Sequence, residues 1–115
     1  MLPKKFKIGA SLRIEHILKK GQYLRGQYFN IKFLPNRLAV SRFAFVISSK
    51  FAKTAVERNL IRRRAYETIG LVLKSALPNL KKTCYDVVVL CRTAAPILTY
   101  KLIKKDLESM LSKLL

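Results

Sequence analysis

The chain of 115 residues carries 24 Lys and Arg against 6 Asp and Glu, a formal charge of +18 with an isoelectric point near 10.5. Half of it is apolar and its mean hydropathy is +0.11, which suits one packed domain over residues 1–115 and excludes wholesale disorder. Self-repulsion on this scale opposes folding and points to a polyanionic partner. Apolar runs such as Val87–Cys91 fall far short of the roughly 18 residues of a membrane span. The basic start Lys4-Lys5-Phe6-Lys7 lacks the apolar stretch of a secretory signal, so a cytoplasmic protein with no membrane partner is expected.

After this basic arm, Ser11 is placed to cap a helix over 11–20, with Leu12, Ile14, Ile17 and Leu18 as its apolar stripe and Gly21 as a left-handed C-cap. A brief strand at Tyr23–Arg25 and a longer one at Tyr28–Leu34 follow, then a turn at Pro35-Asn36-Arg37. Ala39–Ser48 reads as a long strand with Phe43, Phe45 and Ile47 on one face and Ala44 and Val46 on the other; apolar residues on both faces predict a central position. Thr54-Ala55-Val56-Glu57 is a capping box that opens a helix running to about Ala76, ahead of Pro78. Ile61, Ala65, Ile69, Val72 and Ala76 form its core-facing side. Tyr85–Cys91 reads as a strand covered on both faces. Ala94-Ala95-Pro96 is a loop, and Thr99 caps a last helix whose apolar face is Ile103, Leu107, Met110, Leu111 and Leu114. The order helix, two or three strands, helix, strand, helix predicts an α/β (α+β) two-layer sandwich, a sheet of three or four strands covered by helices.

The residue types exclude most enzymatic chemistry. Cys84 and Cys91 lie seven apart on one predicted strand, about 23 Å at the rise of a strand, too far for a disulfide. With a single histidine, His16, they do not form a zinc pattern, so both are expected to be buried thiols. Glu57 belongs to the cap. Asp86, alone in an apolar strand, is expected to pair with a nearby arginine or lie at an edge. Asp106 and Glu108, two apart on a helix, do not face each other. No catalytic set, phosphate loop or metal site emerges.

What remains is cationic surface. Residues 1–64 hold 16 basic and 2 acidic residues, and residues 65–115 hold 8 and 4. The density peaks at Arg58-Asn59-Leu60-Ile61-Arg62-Arg63-Arg64. At 3.6 residues per turn, Arg58, Asn59, Arg62, Arg63 and Tyr66 fall on one stripe near the start of the capped helix, where guanidinium forks and the helix dipole favour phosphate. Aromatic rings interleave with charge, and Tyr23 and Tyr28 are the candidates for stacking on single-stranded bases. No helix of the duplex-DNA groove-reading type is evident, so DNA is not an expected partner.

The sequence resembles the small protein subunit of bacterial ribonuclease P along nearly its whole length. The resemblance is carried by Leu2-Pro3-Lys4-Lys5-Phe6-Lys7-Ile8, Lys19-Lys20-Gly21, Phe43-Ala44-Phe45-Val46-Ile47-Ser48-Ser49-Lys50, Ala55-Val56-Glu57-Arg58-Asn59-Leu60-Ile61-Arg62-Arg63, and Tyr85-Asp86-Val87-Val88-Val89 through Leu98-Thr99-Tyr100. It departs from that family at Leu60, where a third basic-motif arginine is common, at the aliphatic Ile14 and Leu18, at Tyr66 in place of a basic residue, and at Ala52-Lys53. The resemblance implies an α-β sandwich with a left-handed crossover and a non-catalytic subunit of an RNA enzyme that removes the 5′ leader from precursor tRNA with Mg²⁺. It implies that the catalytic RNA is bound by Arg58, Asn59, Arg62, Arg63 and Arg64. The leader cleft it implies, on the sheet face between the first and second helices, would draw on Tyr23, Tyr28, Lys32, Lys50, Lys53 and Tyr66, with Lys4, Lys5 and Lys7 as a basic arm. No cofactor is expected on the protein itself. The competing expectation is a ribosomal or general RNA-binding structural protein of similar fold, which would not rescue cleavage of precursor tRNA.

Overall fold

A computed structural model describes residues 6–9, 11–38, 40–47, 53–76, 84–91 and 100–114, apart from the side chains at 73–76 and 114. The elements are α1 (Ser11–Lys20), β1 (Gln22–Arg25), β2 (Phe29–Pro35), β3 (Arg42–Val46), α2 (Ala55–Ala76), β4 (Tyr85–Cys91) and α3 (Tyr100–Leu114). Lys4, Lys5, Lys50, the 94–96 loop and the Thr99 cap lie outside the described residues.

The four strands form one sheet in the order β1-β2-β4-β3. β1 pairs antiparallel with β2, β2 antiparallel with β4, and β3 parallel with β4, with α2 as the connection between the parallel pair. The two-residue alternation of strands sorts the sheet into two faces. Phe29, Ile31, Phe43, Phe45, Val87, Val89 and Cys91 meet Ile61, Ala65 and Ile69 of α2 and Ile103, Leu107, Met110 and Leu111 of α3 in the main core. Ala44 and Val88 on the other face meet Ile17 of α1 and Ile8 in a smaller cluster. Of the predicted apolar faces, Ile61, Ala65 and Ile69 of α2 and Ile103, Leu107, Met110 and Leu111 of α3 are buried and Val72 is half-buried, while the side chains of Ala76 and Leu114 lie outside those described.

The Thr54–Glu57 capping box forms as its spacing requires: the Glu57 N–H donates to Thr54 Oγ1 at 3.1 Å, and the Thr54 N–H donates to Glu57 Oε1 at 3.4 Å. The turn after β2 is set by Asn36, whose side chain accepts from the Leu38 N–H at 2.9 Å and donates to the Val40 carbonyl at 3.0 Å. Arg37 takes φ 57° there.

Five sequence expectations are corrected. The third strand is shorter than Ala39–Ser48, spanning Arg42–Val46, and lies at an edge of the sheet rather than in the centre. Its outer edge is partly paired by the N-terminal segment, whose Ile8 N–H donates to the Phe43 carbonyl at 2.9 Å, and its two faces are covered by the α2–α3 core on one side and by Ile8 and Ile17 on the other, so burial of both faces did not require a central position. Leu12 is 78% exposed and takes no part in the α1 stripe, which rests on Ile17. Gly21 does not adopt a positive φ; it is small because a Cβ there would lie 2.5 Å from the Ile17 carbonyl and 3.2 Å from the Phe33 nitrogen. Tyr28 precedes β2 rather than beginning it. Cys91 is buried as expected, but Cys84 is half-buried ahead of β4.

Two acids tie the layers together. Asp86, fully buried, receives Arg13 Nε at 2.8 Å, Arg42 Nε and Nη2 at 2.9 and 2.6 Å, and Asn36 Nδ2 at 2.9 Å. Burial pushes its carboxyl up, but the bonds from Arg42, Asn36 and Arg13 outweigh this and hold it at about 2. The same contact with Asp86 raises Arg42 against the cost of burial. Asp106 accepts the backbone N–H groups of Gln27, Tyr28 and Phe29 at 2.8, 2.8 and 2.9 Å. The interest of Asp106 escapes a search for paired acids, because its partners are backbone donors from a distant turn.

Candidate nucleic-acid interface

The capped start of α2 presents the predicted stripe in a definite order. Arg58 and Arg62 flank the buried side, while Asn59 and Arg63 are exposed. Arg62 Nη1 donates to Asn59 Oδ1 at 3.2 Å, which fixes the guanidinium along the helix. Arg58 Nη1 donates to the Lys53 carbonyl at 3.4 Å, so Lys53 meets this group through its backbone while its side chain stays exposed. Arg64 stands apart: two residues before Tyr66 it is turned about 200° around the axis, outside the groove formed by the others.

Lys7, Asn59, Arg62, Arg63, Tyr66 and Glu67 line a groove of about 480 Å³. Lys7 Nζ sits 5.0 Å from the Tyr66 ring centre, a cation–π distance. Tyr66 packs on the main core beside β3. Burial raises its hydroxyl pKa, against the opposing field of Arg62 and a backbone hydrogen bond with Phe45. The half-buried ring is thus a wall of the groove with Lys7 over it and the Arg62 charge close by. Three guanidinium or ammonium groups against one carboxylate favour a phosphate-bearing ligand.

The other predicted cleft residues do not converge. Tyr23 is 53% exposed on β1, on the α1 side of the sheet. Lys32 shares that side, but its Nζ donates to the Leu18 carbonyl at 2.6 Å and closes the C-terminus of α1. Tyr28 lies on the opposite face, beside α3. The groups expected in one cleft are therefore divided among three places, since a strand's alternation and a turn's reach decide sides that composition cannot.

The sequence reading missed a row that crosses all four strands. Arg25 is opposite Asn30, Asn30 opposite Leu90, and Leu90 opposite Val46. All four side chains lie on the α1 side, but α1 covers the neighbouring row, where Val88 and Ala44 are buried, and leaves this one half-open. Asn30 Oδ1 is buried and has no hydrogen-bond partner among the described residues. The row is an apolar strip with a polar amide at its centre and a cation at its end. Only the pairing register reveals it.

Among the described residues no three His, Cys, Asp or Glu side chains cluster to hold a metal ion, and no helix is long and apolar enough to cross a membrane.

Fold and surface together define a small, strongly basic α+β protein built to face a polyanion. The ribonuclease P family pattern matches residues 2–115, and the chain belongs to that family. It is 26% identical over 113 residues to the ribonuclease P protein component of Syntrophomonas wolfei, covering 98% of this chain and 90% of that one. The Staphylococcus aureus RNase P protein superimposes with a TM-score of 0.74 at 25% identity, over 94% of each chain. The Thermotoga maritima RNase P protein shares the fold with a TM-score of 0.72 at 22% identity, over 93% of this chain and 96% of that one. A ribonuclease P protein component is a subunit of an RNA-based enzyme, so the family implies the RNase P RNA as partner.

Proposed function

We propose that this chain is the protein component of a cytoplasmic bacterial ribonuclease P that binds the catalytic RNA through the α2 groove and holds the 5′ leader of precursor tRNA on the half-open sheet face. The observation that carries the reading is the convergence of Lys7, Asn59, Arg62 and Arg63 around the Tyr66 ring. Arg58, next to this groove, adds a further cation toward the RNA. The row Arg25, Asn30, Leu90 and Val46, with Tyr23 beside it, supports the leader contact: it is long, shallow and sequence-tolerant, as an extended single strand requires.

The protein does not hydrolyse the phosphodiester in this reading. Its two buried acids are committed, Asp86 to arginines and Asp106 to backbone N–H groups, and Mg²⁺ serves the reaction through the RNA. The cations of this chain neutralise phosphates that would otherwise repel one another when two RNAs meet. The protein thereby lowers the concentration of divalent ion the reaction needs.

Reconstitution with the cognate catalytic RNA and a precursor tRNA tests this. Cleavage at low Mg²⁺ should depend on the protein, and the assembled enzyme should bind precursor more tightly than mature tRNA. Protein that leaves cleavage unchanged at low Mg²⁺ overturns the RNA-binding role. Equal affinity for precursor and mature tRNA overturns the leader contact alone.

A further inference from the structure

A second cationic groove lies at the other edge of the sheet. It opens between the β1–β2 turn and α3, encloses about 350 Å³, and is lined by Arg25, Gln27, Tyr28, Lys105, Ser109 and Lys113 among others. The turn cannot drift from the helix. Asp106 grips three successive N–H groups of it, and a Cβ at Gly26 would meet Met110 Sδ at 2.5 Å and the Phe29 carbonyl at 2.6 Å. Arg25 and Tyr28 are therefore held at a set distance from Lys105 and Lys113.

The electrostatics of this groove are one-sided. The carboxylate in its wall, Asp106, is buried and turned onto backbone donors. The ion pairs among the described residues converge on Asp86, so Arg25, Lys105 and Lys113, all exposed, carry their charge unneutralised. Lys105 and Lys113 are separated by about 12 Å along the helix, a spread that suits a chain of phosphates better than one compact anion. The Tyr28 ring lines the same groove, packed on the core and joined at its hydroxyl by Gln27 Nε2 at 3.3 Å. A fixed ring among spaced cations is the arrangement on which single-stranded bases stack.

We propose that this groove is a second contact for single-stranded RNA, with phosphates on Arg25, Lys105 and Lys113 and a base against Tyr28. It is separate from the α2 groove, because β1 and β3 are the two edges of the sheet, about 14 Å apart at the usual strand spacing. Arg25 ends the half-open row described above and also lines this groove. A strand lying along the row can pass over the β1 edge and continue onto α3. The choice of RNA as the polyanion rests on the family's RNA partner.

The test is amide NMR of the full chain titrated with a uridine hexanucleotide. Shifts are expected at residues 25–29 and 105–113, and they should persist in an Arg62→Ala, Arg63→Ala chain. The exposed triple variant Arg25→Ala, Lys105→Ala, Lys113→Ala should lose those shifts and about tenfold in affinity, with the logarithmic salt slope falling by about 2, since each single-strand phosphate contact contributes about 0.7. Shifts confined to α2 would overturn the groove and leave the α2 reading standing. Shifts at the groove with none at α2 would support the groove and count against the α2 reading. Equal affinity for inorganic tripolyphosphate or a glutamate hexapeptide would overturn the assignment to RNA.

Discussion

Asp86→Asn removes the charge on which Arg13, Arg42 and Asn36 converge. A carboxyl held at about 2 instead of 3.8 corresponds to about 2 kcal/mol in favour of the ionised folded state. Its folded pKa is depressed, so this stability is fully present above the unfolded value and is lost as the pH falls from about 4 towards 2. The amide also leaves two guanidinium groups facing each other without an acid. Loss of one partner of a fully buried ion pair costs about 3–5 kcal/mol, and the two arginine side chains are each 29% exposed, which screens part of that. The expected loss is about 2–4 kcal/mol at pH 7, measured by urea denaturation followed by circular dichroism. The gap between wild type and variant should narrow by about 2 kcal/mol when both are measured at pH 2. A variant within about 0.5 kcal/mol of wild type at pH 7, the usual range of a neutral surface change, would refute the idea that Asp86 clamps α1 to the sheet.

Arg62→Ala and Arg63→Ala should each weaken assembly with the catalytic RNA by about 1–3 kcal/mol and lower the salt slope by about 1, with an unchanged circular dichroism spectrum; unchanged binding would mean that the stripe is only solvated surface. Wild-type affinity for that RNA should fall about 10³–10⁵-fold between 50 and 200 mM salt if six to ten phosphates are neutralised, and a flat titration would contradict the electrostatic account. Gly26→Ala should destabilise the fold, because the new methyl meets the Phe29 carbonyl as well as a flexible methionine. Its melting temperature should fall while Gly9→Ala, with nothing within 4 Å, leaves it unchanged.

The helices were legible because their signals are local. The Thr54–Glu57 box fixes where α2 begins, and the i, i+4, i+7, i+8 spacing of Ile103, Leu107, Met110 and Leu111 marks the face of α3 that is buried. Strand neighbours were not legible: both faces of β3 are apolar whether another strand or the Ile8 segment lies beside it. The same limit scattered the cleft residues. Tyr28 and Lys32 are four apart in the chain, yet one sits in a turn under α3 and the other closes α1. The α2 stripe was readable because it lies on one helix, whereas the Arg25–Asn30–Leu90–Val46 row is assembled by register from four strands.

The place of β4 has a consequence for how the chain folds as it is made. β2 and β3 touch no common neighbour in the sheet until β4 enters between them, and the turn at 27–29 waits for an acid 77 to 79 residues further on. At a synthesis rate of about 5–20 residues per second, that wait is roughly 4–16 seconds. A nascent chain that has only reached the end of α2 can form the β1–β2 hairpin and isolated helices but no continuous sheet. Its most basic stretch has by then already been made, so the polyanion-binding surface is synthesised well before the strand that gives it a rigid support.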